Sequence, residues 1–132
     1  MPDAFSDPFS LSHAMHDPDC LFCKIIAGQI PSRKVYEDDE VFAFHDIHPG
    51  APVHFLMVPK LHVHSMAGVT DAHAGVLGRM MVLAPKLALE QGCNPYPDGG
   101  FRIVVNTGTE GGQEVHHLHL HVMGGPRPWL KG

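Results

Sequence analysis

The chain has 132 residues, with 9 Lys+Arg against 14 Asp+Glu and 12 histidines, so its formal charge is -5 with histidine neutral. This length fits one domain and argues against a two-domain enzyme, since single domains commonly run about 100 to 150 residues. Net acidity with so few basic residues argues against a nucleic-acid polymer held by many phosphate contacts. With no run of about 20 apolar residues and no basic or apolar leader region, a soluble cytoplasmic protein without a membrane partner is expected.

Residues 1–18 carry three prolines and no apolar periodicity, and read as a mobile N-terminal arm in which His13 and His16 have no task. A single domain is expected over residues 19–132, with a C-terminal tail at 124–132. Residues 20–28 (CLFCKIIAG) read as a short helix closed by Gly28, and Pro31 forces an extended exit. Val35-Tyr36, the turn residues Glu37-Asp38-Asp39, and the alternation of Val41 and Ala43 with Phe42 and Phe44 predict a hairpin ending near Asp46. After the interruption Pro49-Gly50-Ala51-Pro52, residues 54–58 form a third strand stopped by Pro59. Val76, Leu77, Met80, Met81, Ala84, Leu87 and Ala88 then recur at spacings of three and four, predicting a helix capped by Thr70 or Asp71, bent at Pro85 and stopped by Gly92. Residues 101–105 and 116–123 supply the last two strands. Without regular strand–helix alternation, this order predicts an α+β domain: an antiparallel sheet of five strands, one long helix on a face, and a short N-terminal helix.

The chemistry concentrates at the end of the chain. His117, His119 and His121 alternate with Leu118, Leu120 and Val122, so on a strand three imidazoles share one face while the aliphatic residues enter the core. The preceding loop holds Gly108, Gly111 and Gly112, whose backbone N–H groups can turn inward around an anion, with Asn106 and Gln113 as side-chain donors. Alternate imidazoles lie about 6.7 Å apart at strand rise and can surround a single phosphorus or a metal ion. A zinc hydrolase with His-x-His ligands therefore competes with phosphoryl or nucleotidyl transfer by a neutral, nucleophilic imidazole. A row of solvated surface histidines is the plainer alternative. Cys20-x-x-Cys23 is half of a four-ligand zinc site, although a redox pair or two packed thiols would have the same spacing. Cys93 is solitary and has no assigned task. His64 and His73 read as surface residues, and His116 is expected opposite the triad.

The segment HHLHLHVMGG, together with CLFCKIIAGQIPS at 20–32, VYEDDEVFAFHDIHPGAPVHFLMVPKLH at 35–62 and RIVVNTGTEGGQEV at 102–115, resembles the histidine triad (HIT) family and its Hint branch, the purine nucleoside phosphoramidases. The resemblance spans about residues 19–129. It implies a hydrolase in which His119 attacks the α-phosphorus of a purine nucleoside 5′-phosphoramidate or an acyl- or aminoacyl-AMP, giving a covalent nucleotidyl-histidine that water hydrolyses. His121 and His54 would assist at phosphate or orient the nucleophile. Asn106, Gly112 and Gln113 would bind phosphate, Asp46 would hold the ribose, and His45 and Ile47 would border the nucleoside pocket. It further implies a twofold homodimer with joined sheets, the tail around Trp129 reaching toward the partner's site. In the zinc-binding bacterial variant, His62 and His117 would complete a structural Zn2+ site with Cys20 and Cys23, and no organic cofactor is expected. Glu114 departs from the serine often found at its place, and its carboxylate is expected not to touch phosphate directly. Dinucleoside polyphosphate hydrolysis and a nucleotide-binding module with little turnover are the alternative functions.

Overall fold

A computed structural model describes residues 16–126 of the chain; the expectations for His13, Trp129 and most of the arm lie outside the described residues. Strands β1 (Lys34–Glu37), β2 (Val41–His45), β3 (Val53–Pro59), β4 (Phe101–Val104) and β5 (Leu120–Gly124) form one antiparallel sheet in the order β1-β2-β3-β5-β4. Helix α1 (Leu21–Ile26) precedes the sheet, and helix α2 (Ala74–Glu90) connects β3 to β4. This is the expected α+β layout.

Period-two alternation decides which layer each strand residue enters. Val41 and Ala43 of β2, Phe55 and Met57 of β3, and Leu120 and Val122 of β5 pack with α2 through Val76, Met80, Leu83 and Leu87. The intervening Phe42, Phe44, Leu56 and Val58 face the other way and pack with Cys20, Phe22, Cys23 and Ile25 of the α1 region. Burying each large side chain of this kind stabilises the fold by about 1.5–3 kcal/mol. The sheet is thus covered on both faces, by α2 on one and by α1 on part of the other.

Helix α2 begins later than its cap. Thr70 caps a 3-10 turn, Asp71–His73, in a capping box completed by the His73 ring, and the α-helix starts only at Ala74. The helix continues through Pro85, whose exposed position leaves the carbonyl deprived of its N–H partner open to water. The buried stripe includes Leu83, whereas Met81, expected inside, is 52% exposed.

Strand β5 is shorter than expected at its start. Its ladder with β3 ends at Met57 opposite Leu120. The next partner in register for Leu118 would be Pro59, which has no N–H to give. Leu118 instead donates its N–H to Val63 O at 2.8 Å, and residues 115–117 form a bend. His117 therefore leaves the ladder and reaches a different cluster from His119 and His121.

Candidate active site and metal centre

Strand register assembles the histidine cluster. Phe44 pairs with Leu56, and Leu56 pairs with His121. One step further, the Asp46 N–H donates to His54 O at 3.1 Å, extending the β2–β3 pairing past the end of β2. Asp46 is two residues from Phe44 and His54 two from Leu56, so both face the α1 side, with His54 diagonal to His121. His54 is 8% exposed and His119 7%.

Hydrogen bonds to the backbone fix where the ring protons lie. The Gly50 N–H donates to His54 Nδ1 at 2.8 Å, so that nitrogen holds a lone pair and the proton of neutral His54 sits on Nε2. His54 Nε2 lies 3.0 Å from His121 Nδ1 and 3.3 Å from Asp46 Oδ2. It donates into this pair, which makes His121 Nδ1 an acceptor and puts the His121 proton on Nε2. The ring of His119 is oriented oppositely: its Nδ1–H donates to the His117 carbonyl at 2.7 Å. The lone pair of His119 is therefore on Nε2, the state required of a nucleophile. Phe22 packs edge-on against the His119 ring at 5.1 Å between centroids, and His121 lies at 5.0 Å.

Burial is the first cause that lowers the pKa of His54, His119 and His121, the last to about 4. Asp46 pulls each of them back upward without reversing the shift. At pH 7 the free site holds neutral imidazoles beside one carboxylate.

Asp46, His54 and His121 present their atoms closely enough to hold a cation, but the protonation pattern opposes it. A metal on His54 Nε2 would require the neutral ring's proton on Nδ1, where it would oppose the Gly50 N–H. This trio is organised to hold and pass a proton.

The second cluster has the reverse pattern. His117 donates Nε2–H to Pro59 O at 2.8 Å, leaving the Nδ1 lone pair directed at Cys20, Cys23 and His62. A ligating histidine is commonly fixed in this way by a carbonyl on its other nitrogen. The separations are 3.2 Å for His62 Nδ1–His117 Nδ1, 3.3 Å for Cys20 Sγ–His117 Nδ1, and 3.6 Å from Cys23 Sγ to each imidazole. Bonds of ~2.3 Å to sulfur and ~2.05 Å to nitrogen around a tetrahedral ion give edges of about 3.4 Å for N···N and about 3.5 Å for S···N. The four residues fit one metal ion. Backbone N–H groups of Asp17 and Cys23 also point at Cys23 Sγ and Cys20 Sγ, both at 3.4 Å. Burial, its first cause, pushes the Cys23 thiol up to about 11, which a bound cation would reverse by stabilising the thiolate.

A cavity of about 260 Å3 adjoins the histidine cluster, lined by apolar Phe22, Ile25, Phe44 and Leu56 and by His45, Asp46, Ile47, Asn106, Gly112, His119 and His121. Its size is near the lower end for small-ligand sites, about 300 Å3. Ile47 is 85% exposed at the rim. Gly112 adopts φ +83, a left-handed turn that glycine enters without a Cβ penalty.

The glycine loop is more internally bonded than the sequence suggests. The N–H groups of Gly111, Gly112 and Gln113 return to the carbonyls of Gly108 and Thr109. Gln113 Oε1 accepts from Gly108 N, while its Nε2 donates to His64 O at 2.6 Å and Val115 O at 3.0 Å. Gln113 is absent from the cavity lining and braces the loop. Asn106 lines the cavity, with one amide hydrogen directed to Gly111 O at 2.7 Å. Phe22, Ser32 and His48 line the same cavity and were not singled out from sequence. Spacing alone could not reveal Phe22 and Ser32, since α1 and the segment around Pro31 reach the site only through folding, whereas His48 directly follows Ile47. His16, His64 and His116 are exposed.

A five-stranded antiparallel sheet carrying a histidine cluster at the start of its interior strand β5 defines the histidine triad class, and the chain belongs to the histidine triad (HIT) family. Residues 19–130 match the family described as scavenger mRNA decapping enzyme C-term binding. Protein HitA of Neisseria gonorrhoeae is 48% identical over 107 residues, covering 81% of this chain and 96% of that protein. The purine nucleoside phosphoramidase of Escherichia coli is 44% identical over 105 residues, 80% of this chain and 86% of the relative. A histidine triad protein from Clostridium difficile superposes with a TM-score of 0.79 at 45% identity, covering 86% of this chain and 96% of its own. A HIT family hydrolase from Legionella pneumophila gives 0.77 at 43% identity, covering 83% and 95%.

Proposed function

We propose that the protein hydrolyses purine nucleoside 5′-phosphoramidates or acyl- and aminoacyl-adenylates through a nucleotidyl group carried on His119 Nε2. The observation that carries this reading is the tautomer of His119: its Nδ1–H is held by the His117 carbonyl, which aims the free lone pair of Nε2 at the cavity side. A phosphate arriving beside His121 and His54 brings negative charge, and this favours uptake of one proton by their pair, with Asp46 supporting the cation. Nε2 then bonds to phosphorus as the bond to the leaving group breaks. The proton from the His54–His121 pair goes to the departing nitrogen or oxygen. Water displaces His119 in the second half and returns a proton to the pair, so the enzyme is regenerated.

Asp46 at the end of β2 is suited to accept from ribose hydroxyls, with Ile47 and the apolar wall around Phe22 and Phe44 enclosing the purine. Asn106 and the Gly112 turn border the phosphate. Gln113 contributes by holding that turn. The metal of the Cys20, Cys23, His62 and His117 cluster is zinc in this reading, because two thiolates and two imidazoles in a closed tetrahedron suit it. Its task is structural, tying α1 to the chain that leads into β5. The edge of β4 opposite β5 has no strand partner among the described residues, and Phe101 and Val105 are each 38% exposed there. A twofold homodimer joined along that edge accounts for both features, and sedimentation at micromolar concentration is expected to return a dimer mass.

The decisive experiment compares adenosine 5′-phosphoramidate, an aminoacyl adenylate and diadenosine polyphosphates as substrates for wild type and His119→Ala, with acid-quenched protein examined for a nucleotidyl adduct. The expected result is turnover of the first two and an adduct on His119. AMP binding without turnover of any of them would make the protein a nucleotide-binding module, and preference for the polyphosphate would reassign the substrate. Activity that survives His119→Ala and disappears with chelator would replace the imidazole mechanism by a metal-hydroxide one.

A further inference from the structure

The cavity is electrically one-sided. Among the described residues no Lys or Arg lines it, whereas Asp46 and Glu114 both do. Asp46 is engaged, accepting from His48 N at 2.8 Å and facing His54 Nε2 at 3.3 Å. Glu114 differs from it. The residue is exposed, and its carboxylate makes no hydrogen bond or ion pair with any of the described residues. It follows the braced Gly108–Gln113 loop, which fixes the backbone from which it projects. An unpaired carboxylate on a fixed wall of a small cavity acts on whatever charge the ligand brings next to it.

Displacement at phosphorus sends the leaving group away from the attacking nitrogen. His119 is buried at 7% exposure, so the group departs toward solvent, and Glu114 is an exposed carboxylate in the lining of the same cavity. An anionic leaving group would bring a second negative charge beside this carboxylate; a cationic one would neutralise it.

We propose that Glu114 selects the leaving group by charge, favouring nucleoside 5′-phosphoramidates whose amine carries a second, cationic ammonium group and disfavouring those whose amine carries a carboxylate. This rests on the phosphoramidase reading above. In the step concerned, the His119 Nε2–phosphorus bond forms while the phosphorus–nitrogen bond breaks; the electron pair stays on the amine nitrogen, which takes one proton, and water later releases the nucleotide. Glu114 takes no part in these bond changes. It sets the potential along the exit path, and so it is a specificity residue.

The test uses three adenosine 5′-phosphoramidates of matched length, made from n-butylamine, 1,4-diaminobutane and 4-aminobutyrate, with the full-length metal-loaded protein. The ratio of kcat/KM for the diamine over the amino acid is expected to be about tenfold or more at low salt and to shrink at about 0.5 M salt. The difference is expected to lie mainly in KM, because the charge acts on bound substrate and transition state alike. In Glu114→Gln the ratio should fall to within about threefold of unity, and in Glu114→Lys it should invert. A general structural effect would change all three compounds together and leave the ratio intact. Equal rates for the three compounds in wild type, or an unchanged ratio in Glu114→Gln, overturn the proposal. If none of the three is cleaved while AMP still binds, the phosphoramidase reading itself fails and the charge preference falls with it.

Discussion

In the Cys20, Cys23, His62 and His117 cluster, the His117 nitrogen turned away from the centre donates to the Pro59 carbonyl, so the central nitrogen offers a lone pair. In the Asp46, His54 and His121 cluster, the His54 nitrogen turned away from the centre accepts from the Gly50 N–H, so the central nitrogen carries a proton. Both groups are rich in imidazole, both lie at β5 or its entrance, and both bring their polar atoms within 4.8 Å. The difference teaches that imidazole identity and spacing do not choose between metal ligation and proton handling. A backbone donor or acceptor on the far side of the ring makes the choice.

The separation of the two clusters is open to attack, first at the nucleophile. His119→Ala is expected to lower kcat/KM for adenosine 5′-phosphoramidate by about 10,000-fold or more, with metal content unchanged by elemental analysis. Loss of metal in that variant would show that the clusters are not independent.

The next expected effect is on stability. Cys20→Ser removes one of the four donors and should abolish stoichiometric zinc binding while costing about 3 kcal/mol, or a fall of roughly 10 °C or more in Tm. Unchanged zinc content would refute the ligand assignment. Any loss of turnover should follow from disorder at the His117 carbonyl, and so appear in kcat.

A smaller change is expected from His54→Ala, which deprives His121 Nδ1 of its 3.0 Å donor and should reduce turnover about 100-fold. His54→Gln, whose amide can donate to the same nitrogen, is expected to recover part of it. Equal defects in the two variants would mean that the hydrogen bond is not what matters.

The smallest effect concerns acid. Burial, ahead of the charges of His119 and His54, holds His121 at about 4. Between that value and the ordinary range near 6.5 the unfolded chain binds a proton that the folded chain does not. The contribution is complete above about pH 6.5 and is lost as pH falls toward 4, amounting to about 2 kcal/mol after allowance for solvent at a partly exposed ring. The urea midpoint of wild type should fall more steeply than that of His121→Asn as pH drops through this range; parallel curves would mean that the ring titrates alike in the folded and unfolded chain.

Much of the sheet was legible because the hydrophobic pattern has only one satisfactory solution. Phe55 and Met57 must enter the layer under α2 if Leu56 and Val58 are to meet α1, and the same alternation brings His54 and Asp46 to the face of His121. The family motif supplied the four residues that converge at the metal cluster, and a tetrahedron then accounts for their spacing. Other features left no trace in side-chain identity. The groups that set the tautomers are the Gly50 N–H and the carbonyls of Pro59 and His117, which every residue of the right backbone conformation could provide. An amide in a glycine loop has the capacity to donate to phosphate, and the identity of Gln113 alone does not show that three bonds within the fold engage it. The early end of the β5 ladder depended on the partner strand, where Pro59 lacks the N–H to continue it.

The His117 residue serves both clusters at once, through its ring toward the thiols and through its carbonyl toward His119. This gives the segment from His117 to His121 an unusual mutational grammar. Leu118 and Leu120 can be exchanged for other apolar residues of similar volume at modest cost, but the number of residues cannot change. One inserted or deleted position would rotate everything beyond it to the opposite face of the sheet, breaking the spacing between the His117 ring and the imidazoles that follow it and exposing Val122, now 0% exposed in the core. A library of single-residue insertions and deletions should therefore find this stretch closed to length variation even where substitution is tolerated.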